Sequence, residues 1–232
     1  MKSNANRIIE IIGEGVTDVG LEQKPSSAKV FAEKPTQGVL PILVHKICNK
    51  SENMRVIRKR VAHLRGKKPA EKVEFERFQA YHSNYDGLVL VVDSDGELNE
   101  VRKTWFDARE KSEMELASTL PMAIGVAHPC IESWLLADAT AVRRGLELDR
   151  TPDVPLNPEN LSPIQDNRNH PKNIFHTNVK KNISAQEKDR IAAAMNDLEL
   201  VKQRCPLGFK PFADEVEKHI VPLFNLQSPR RT

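Results

Sequence analysis

The chain has 232 residues, 39% hydrophobic and 29% charged, with a formal net charge of +3. This balance fits a soluble globular chain and excludes a disordered one, and no apolar run approaches the ~18 residues of a membrane helix. Cys48, Cys130 and Cys205 are far apart and odd in number, so they suggest neither a zinc pattern nor a disulfide framework; with no apolar core in the N-terminal MKSNANRII, the expected location is the cytoplasm.

Residues 7–12 read as a buried strand, with Ile8, Ile9, Ile11 and Ile12 interrupted only by Glu10, and Gly13 and Gly15 break it. Residues 19–38 are rich in Gly, Pro, Ser and Lys and suggest a loop. Leu40, Leu43, Val44 and Ile47 then recur at helical spacing over 39–49. Residues 54–64 are basic and apolar by turns and fit a helix or a strand. Residues 71–82 suggest a helix with Val73, Phe78 and Tyr81 on one side. Residues 88–92 form the clearest buried strand, and a charged helix with Val101, Trp105, Ala108 and Leu116 as its apolar stripe follows over 97–116. A third strand is expected over 122–127, then short apolar helices over 131–138 and 139–146. Pro152, Pro155, Pro158 and Pro163 mark 151–170 as a polar connection. Helices are expected over 171–181, 184–196 and 212–224, the second opened by a Ser184/Glu187 capping box.

Strands alternating with helices predict an α/β fold with a mainly parallel, Rossmann-like sheet flanked by helices, and a helical C-terminal part. The expected organisation is an α/β core over 1–150, with a basic helical insertion near 39–82. Residues 151–232 are expected to pack on that core as one globular unit.

Acids follow three of the apolar strands: Glu14 and Asp18 after the first, Asp93 and Asp95 after the second, Glu132 after the third. Ligands of open parallel sheets bind beyond the carboxyl ends of the strands. If the strands are neighbours, the carboxylates converge, and hard oxygen ligands of that kind suit Mg²⁺ or Mn²⁺. Each cluster also has a plainer reading. Asp95 could cap the following helix, Asp18 could serve a turn, and Glu132 could pair with Arg143 or Arg144. In an extended segment Asp93 and Asp95 would point the same way, two carboxylates side by side. Arg55, Arg58, Lys59, Arg60, Arg65, Lys67 and Lys68 form an acid-free basic run, either a solvated face or a surface for a phosphate backbone. His128 beside the acids could assist proton transfer, although a structural role is the simpler one. Ser94 and Ser133 lack an evident base partner, and no P-loop is present.

Glu14-Gly15 and Asp93-x-Asp95 after strands resemble the TOPRIM domain of topoisomerases, primases and overcoming-lysogenization-defect nucleases. The wider pattern is Glu14-Gly15-x-Thr17-Asp18, Asp93-x-Asp95-Gly96, Pro129-x-Ile131-Glu132-x-Trp134-Leu135-Leu136-Ala137-Asp138, Pro171-Lys172 and Cys205-Pro-x-x-Phe209-Lys210-x-Phe212. It resembles small bacterial TOPRIM-like proteins of undefined function, often encoded near phage-defence systems. The resemblance implies a Mg²⁺- or Mn²⁺-dependent nuclease of anti-phage defence, acting on nucleic acid, DNA before RNA, with an ATPase partner or self-association in view. It implies that Glu14, Asp93 and Asp95 are metal and acid–base residues, that Asp18 and Glu132 serve a second metal, and that Lys172 faces the scissile phosphate. The alternatives are a non-catalytic or regulatory subunit of a defence complex, or a phosphoryl or nucleotidyl transferase using the same acids.

Overall fold

The structure, a computed structural model, describes residues 6–20, 36–49, 53–60, 68–116 and 120–225. Its centre is a parallel sheet of β1 (Arg7–Gly13), β2 (Met54–Arg60), β3 (Gly87–Asp93) and β4 (Met122–Ala127), in the order β2-β1-β3-β4. Successive side chains on a strand point to opposite faces. Ile9, Ile11, Val89, Val91 and Ala123 therefore enter one core, while Ile12, Leu88, Leu90, Val92, Met122, Ile124 and Val126 enter the other. Both faces are covered, which explains the continuous apolar runs of β3 and β4.

Right-handed crossovers dictate which face each helix covers. The first core takes α2 (Val39–Cys48), on the path from β1 to β2, through Leu40, Leu43 and Val44. The chain then crosses back over β1 to form β3. Accordingly α3 (Pro69–His82) and α4 (Leu98–Leu116), which lead to β3 and β4, contribute Val73, Ala80, Trp105 and Ala108 to the second core. The direction of winding reverses between β1 and β3, the kind of crevice in which open α/β sheets bind ligands. A short helix, α1 (Val16–Val19), follows β1 directly.

The C-terminal part joins the first core. It comprises α5 (Glu132–Leu136), α6 (Ala139–Gly145), a 3₁₀ turn at Pro158–Asn160, α7 (Pro171–Ile174), a π-helical turn at Phe175–Val179, α8 (Ala185–Ala194), α9 (Leu198–Arg204), α10 (Phe209–His219) and α11 (Pro222–Asn225). Trp134 is fully buried, stacked on Phe212 at 5.1 Å between ring centroids and edge-on to Phe209 at 5.4 Å. Gly125 on β4 is the counterpart of this packing, since a Cβ there would lie 2.6 Å from Phe212 Cδ2. The capping box at Ser184 and Glu187 is present. No helix among the described residues is long and apolar enough to cross a membrane.

Two expectations are corrected. Residues 39–82 are not a helical insertion, because Met54–Arg60 form the edge strand of the sheet itself. The ambiguity arose because an edge strand need bury only part of each face, so its apolar signal is diluted by Arg and Lys. On α3, Phe78 and Tyr81 do not share the buried side with Val73; they are 50% and 47% exposed, and Glu76, Arg77 and Ala80 are buried instead.

The polar connection before α7 is secured by Glu159. This buried carboxylate accepts hydrogen bonds from the backbone N–H groups of Leu207 (2.6 Å), Gly208 (2.7 Å) and Phe209 (3.2 Å), satisfying donors where α10 begins. Glu159→Ala leaves these groups without their acceptor. It should lower the unfolding free energy by roughly 2–3 kcal/mol, measured by urea denaturation at neutral pH; a loss below about 0.5 kcal/mol would contradict this account.

Candidate functional site

β1, β3 and β4 are adjacent and parallel, so their carboxyl ends open at one mouth. Glu14 leaves β1 one residue beyond Gly13, Asp93 ends β3, and Glu132 opens α5 just beyond β4. Asp18 returns to the mouth on α1, where it is buried. Burial and the charges of Glu132, Asp18 and Glu14 push the Asp93 carboxyl up to about 8, with Lys172 opposing them. Burial, then Asp95 and Asp18, raise Glu14. Asp18 is raised chiefly by burial, with Glu132 adding to it. The acids expected from the sequence thus lie within one another's electrostatic reach.

They do not form a ready-made coordination shell. Among the described residues, no group of three or more His, Cys, Asp or Glu side chains is placed to hold a metal ion. Each carboxylate is engaged locally instead. The backbone N–H of Asp93 acts to lower Glu14. Asp93 Oδ1 accepts from Ile131 N–H at 3.1 Å. Asp18 accepts from Gly15 N–H at 2.6 Å and from the Thr17 hydroxyl at 3.2 Å, closing the short turn of α1. Glu132 Oε1 accepts from Lys188 Nζ at 2.8 Å; its buried Oε2 has no N–H or O–H partner among the described residues, and the Cys130 thiol adds only a weak bond to the carboxylate. The donor set has the oxygen chemistry that Mg²⁺ or Mn²⁺ prefers, and the unpartnered Oε2 together with the mutual repulsion gives a cation something to relieve. Binding one requires the side chains to turn from their present bonds.

The side-by-side arrangement expected for Asp93 and Asp95 is not found. Asp95 has a left-handed backbone, φ 46°, so the extended segment ends before it. The turn is closed by Glu97 N–H donating to Ser94 O at 2.9 Å. Asp93 feels the charges of Glu132, Asp18 and Glu14, whereas the exposed Asp95 acts on Glu14.

The partner of Glu132 is also not the one expected. Arg143 and Arg144 do not pair with it; Lys188 on α8 does, 56 residues away along the chain. Burial drives the Glu132 carboxyl up, but the Lys188 and Lys172 ammonium groups more than offset this and hold it below the usual range. The adjacent Cys130 thiol is buried and pushed far up, which leaves it an unreactive neighbour. Lys172, on the first turn of α7, faces Glu132, Asp93 and Asp18, and the charge of Glu132 raises it most. Lys72 on α3 contributes a positive charge on the Glu14 side. The sequence marks neither Lys188 nor Lys72, since both are ordinary surface-type lysines in helical stretches.

Ser94 does have a base partner: its Oγ lies 2.8 Å from His128 Nδ1. The hydroxyl is buried at 2% exposure, and burial and Arg102 hold His128 toward its neutral form. The pair braces the turn after β3 against the exit of β4, as does Asp95 N–H on Pro129 O at 3.2 Å.

The basic run is divided by the strand's alternation. Arg58 donates to the carbonyls of Thr36 (2.7 Å) and Gln37 (3.3 Å), on the α2 side. Lys59 points to the other face, where it pairs with Glu76, donates to Gln79 Oε1 at 2.8 Å and lies over Phe75. Arg55 is exposed in register with Ile8, far from the mouth. Arg60, in register with Gly13, and Lys68, just before α3, are at the acidic end. Arg65 and Lys67 lie outside the described residues. Comparison with protein-family models, curated proteins and solved structures finds no match to this chain.

On the face carrying Lys59, Glu10 is buried, and its Oε2 has no hydrogen-bond partner among the described residues. Burial pushes its carboxyl up to about 7, Lys59 lowers it and Glu76 raises it again. A carboxyl raised on folding costs stability once the unfolded chain ionises. The cost is absent below about pH 4.5, grows up to about pH 7 and is constant above. Glu10→Gln should therefore be nearly neutral at pH 4 and stabilising at pH 8 by about 1–3 kcal/mol. Denaturant titrations at the two pH values check this; an equal effect at both would exclude it.

Proposed function

We propose that this chain is a divalent-metal-dependent phosphodiesterase acting on nucleic acid, a nuclease of TOPRIM-like architecture. The observation that carries the reading is the buried Oε2 of Glu132, which has no N–H or O–H partner among the described residues, near Asp93 in a mouth that also gathers Glu14 and Asp18. Acids concentrated in this way at a winding reversal suit a cation-binding site. Glu14, Asp93 and Glu132 would hold Mg²⁺ or Mn²⁺, with Asp95 and Asp18 at its margins. A bound ion of this class polarises a phosphate and acidifies a water molecule.

The chain's own residues supply the rest. The Lys172 ammonium sits in the field of Glu132, Asp93 and Asp18, where it can meet a phosphate oxygen at the mouth. Arg60 and Lys68 extend positive charge from the edge strand. Arg58 and Lys59 are committed to internal partners and are assigned no contact with nucleic acid. DNA is the first substrate to test.

One observation favours the second reading, a non-catalytic subunit whose partner could be an ATPase: Asp93, Asp18 and Glu132 each already accept a hydrogen bond from the protein. Purified protein incubated with plasmid and single-stranded DNA decides between them. With Mg²⁺ or Mn²⁺, cleavage is expected, abolished by chelation and reduced at least ~100-fold in Asp93→Asn. No cleavage by the wild type supports the non-catalytic reading, and undiminished cleavage by the variant removes Asp93 from the chemistry.

Lys172→Ala should lower the cleavage rate by roughly 10–1,000-fold while leaving the affinity for Mn²⁺ within a few-fold, because the lysine acts on the phosphate and not on the ion. Single-turnover rates and Mn²⁺ titrations measure the two effects. A loss confined to metal affinity would remove Lys172 from that role.

A further inference from the structure

We infer that the solvent-facing side of α3 docks onto the same side of α3 in a second copy of this chain, with the two helices antiparallel. The orientation of α3 is costly in an isolated chain. It buries the polar Glu76 and Arg77 while leaving Phe78 and Tyr81 50% and 47% exposed. The exposed rings are not scattered. His82 packs on Phe78 at 4.2 Å between ring centroids and meets Tyr81 edge-on at 5.6 Å. Apolar groups that cluster at a surface, unlike single ones, mark interaction sites.

The spacing suits another helix. Glu71, Phe75, Phe78 and His82 recur at intervals of four, three and four residues, the seam of a helix that packs lengthwise on a second helix. Charge selects the occupant and its direction. The exposed acids of α3, Glu71 and Glu74, lie in its first half, and residues 77–85 contain none. A polyanion laid along the patch would run onto those acids. A second α3 in parallel would set Glu71 against Glu71, a like-charge contact that costs affinity. Antiparallel pairing removes it. Phe75 then meets the partner's Phe78, Glu71 meets the partner's His82, whose ring N–H can donate to it, and Glu74 comes beside the partner's Tyr81. Each contact occurs twice about one two-fold axis, so the interface closes on itself. A helix about 21 Å long covers less than the ~800 Å² per partner of a standard interface, and association in the micromolar range is expected. Because α3 begins at the acidic end of the sheet, the two mouths open at opposite ends of the dimer. Dimerisation of this kind is independent of any chemistry at the mouth.

Sedimentation equilibrium of the full chain at up to about 200 µM measures the association, with circular dichroism to verify folding. The wild type should approach the dimer mass, and Phe78→Glu, a charge at a half-exposed position, should weaken association at least ~10-fold. Disulfide trapping reads the direction, since Cys48, Cys130 and Cys205 are buried. Glu71→Cys and His82→Cys mixed under mild oxidation should give a covalent dimer. Neither alone should, because in the antiparallel pair each lies about 16 Å along the helix from its own counterpart. If Phe78→Glu does not fold, trapping alone decides. A wild type that stays monomeric, a dimer unaffected by Phe78→Glu, trapping by either single variant alone, or no trapping in the mixture would each overturn the inference. A monomer that binds a single-stranded oligonucleotide through Phe78 would do so as well.

Discussion

Repulsion among carboxylates at one mouth is the constraint around which the molecule is arranged. It follows from the backbone alone. Winding one way from β1 to β2 and the other way onward to β3 leaves a crevice between β1 and β3. β1 and β3 bring Glu14 and Asp93 to that end of the sheet, and Glu132 follows β4 five residues on. Buried like charges are tolerated only with compensation, and the fold supplies some from parts of the chain far away in sequence. Lys188 comes from α8, Lys172 from α7 and Lys72 from α3.

That dependence explains why the helical C-terminal part and the sheet share one core. Trp134 sits two residues from Glu132 and stacks on Phe212, while Phe209 meets its edge. The aromatic cluster anchors α5, and α5 aims Glu132. On its other side Glu132 is met by a helix locked through Asp189 to the start of α2. The acid is therefore positioned from both flanks, by packing on one and by charge on the other.

The strands, most of the helices and the acids were legible because their signals are local. Isoleucine and valine runs mark β1 and β3, and an acid after a strand is visible in a few residues. Edge strand β2 was ambiguous because its arginines and lysines interrupt the apolar pattern on both faces. The left-handed turn at Asp95 was hidden because an aspartate followed by glycine fits several turn geometries. Least legible were the cations. A lysine in a helix gives no hint of which carboxylate it meets, so Arg143 and Arg144, near in sequence, stood in for Lys188, which is near in space. The Ser94–His128 contact was hidden for the same reason, since it joins the exits of two strands.

Glu159 has a consequence for how an anion would be received. Helix N-termini attract phosphate through their free N–H groups, and the start of α10 lies close to the end of β4, with Gly208 beside Val126 O and His128 N. Those N–H groups are already turned onto an internal carboxylate. That backbone cradle is shut by the protein's own anion, so a negatively charged guest near the end of β4 meets side chains there, whose reach and charge can be altered one residue at a time.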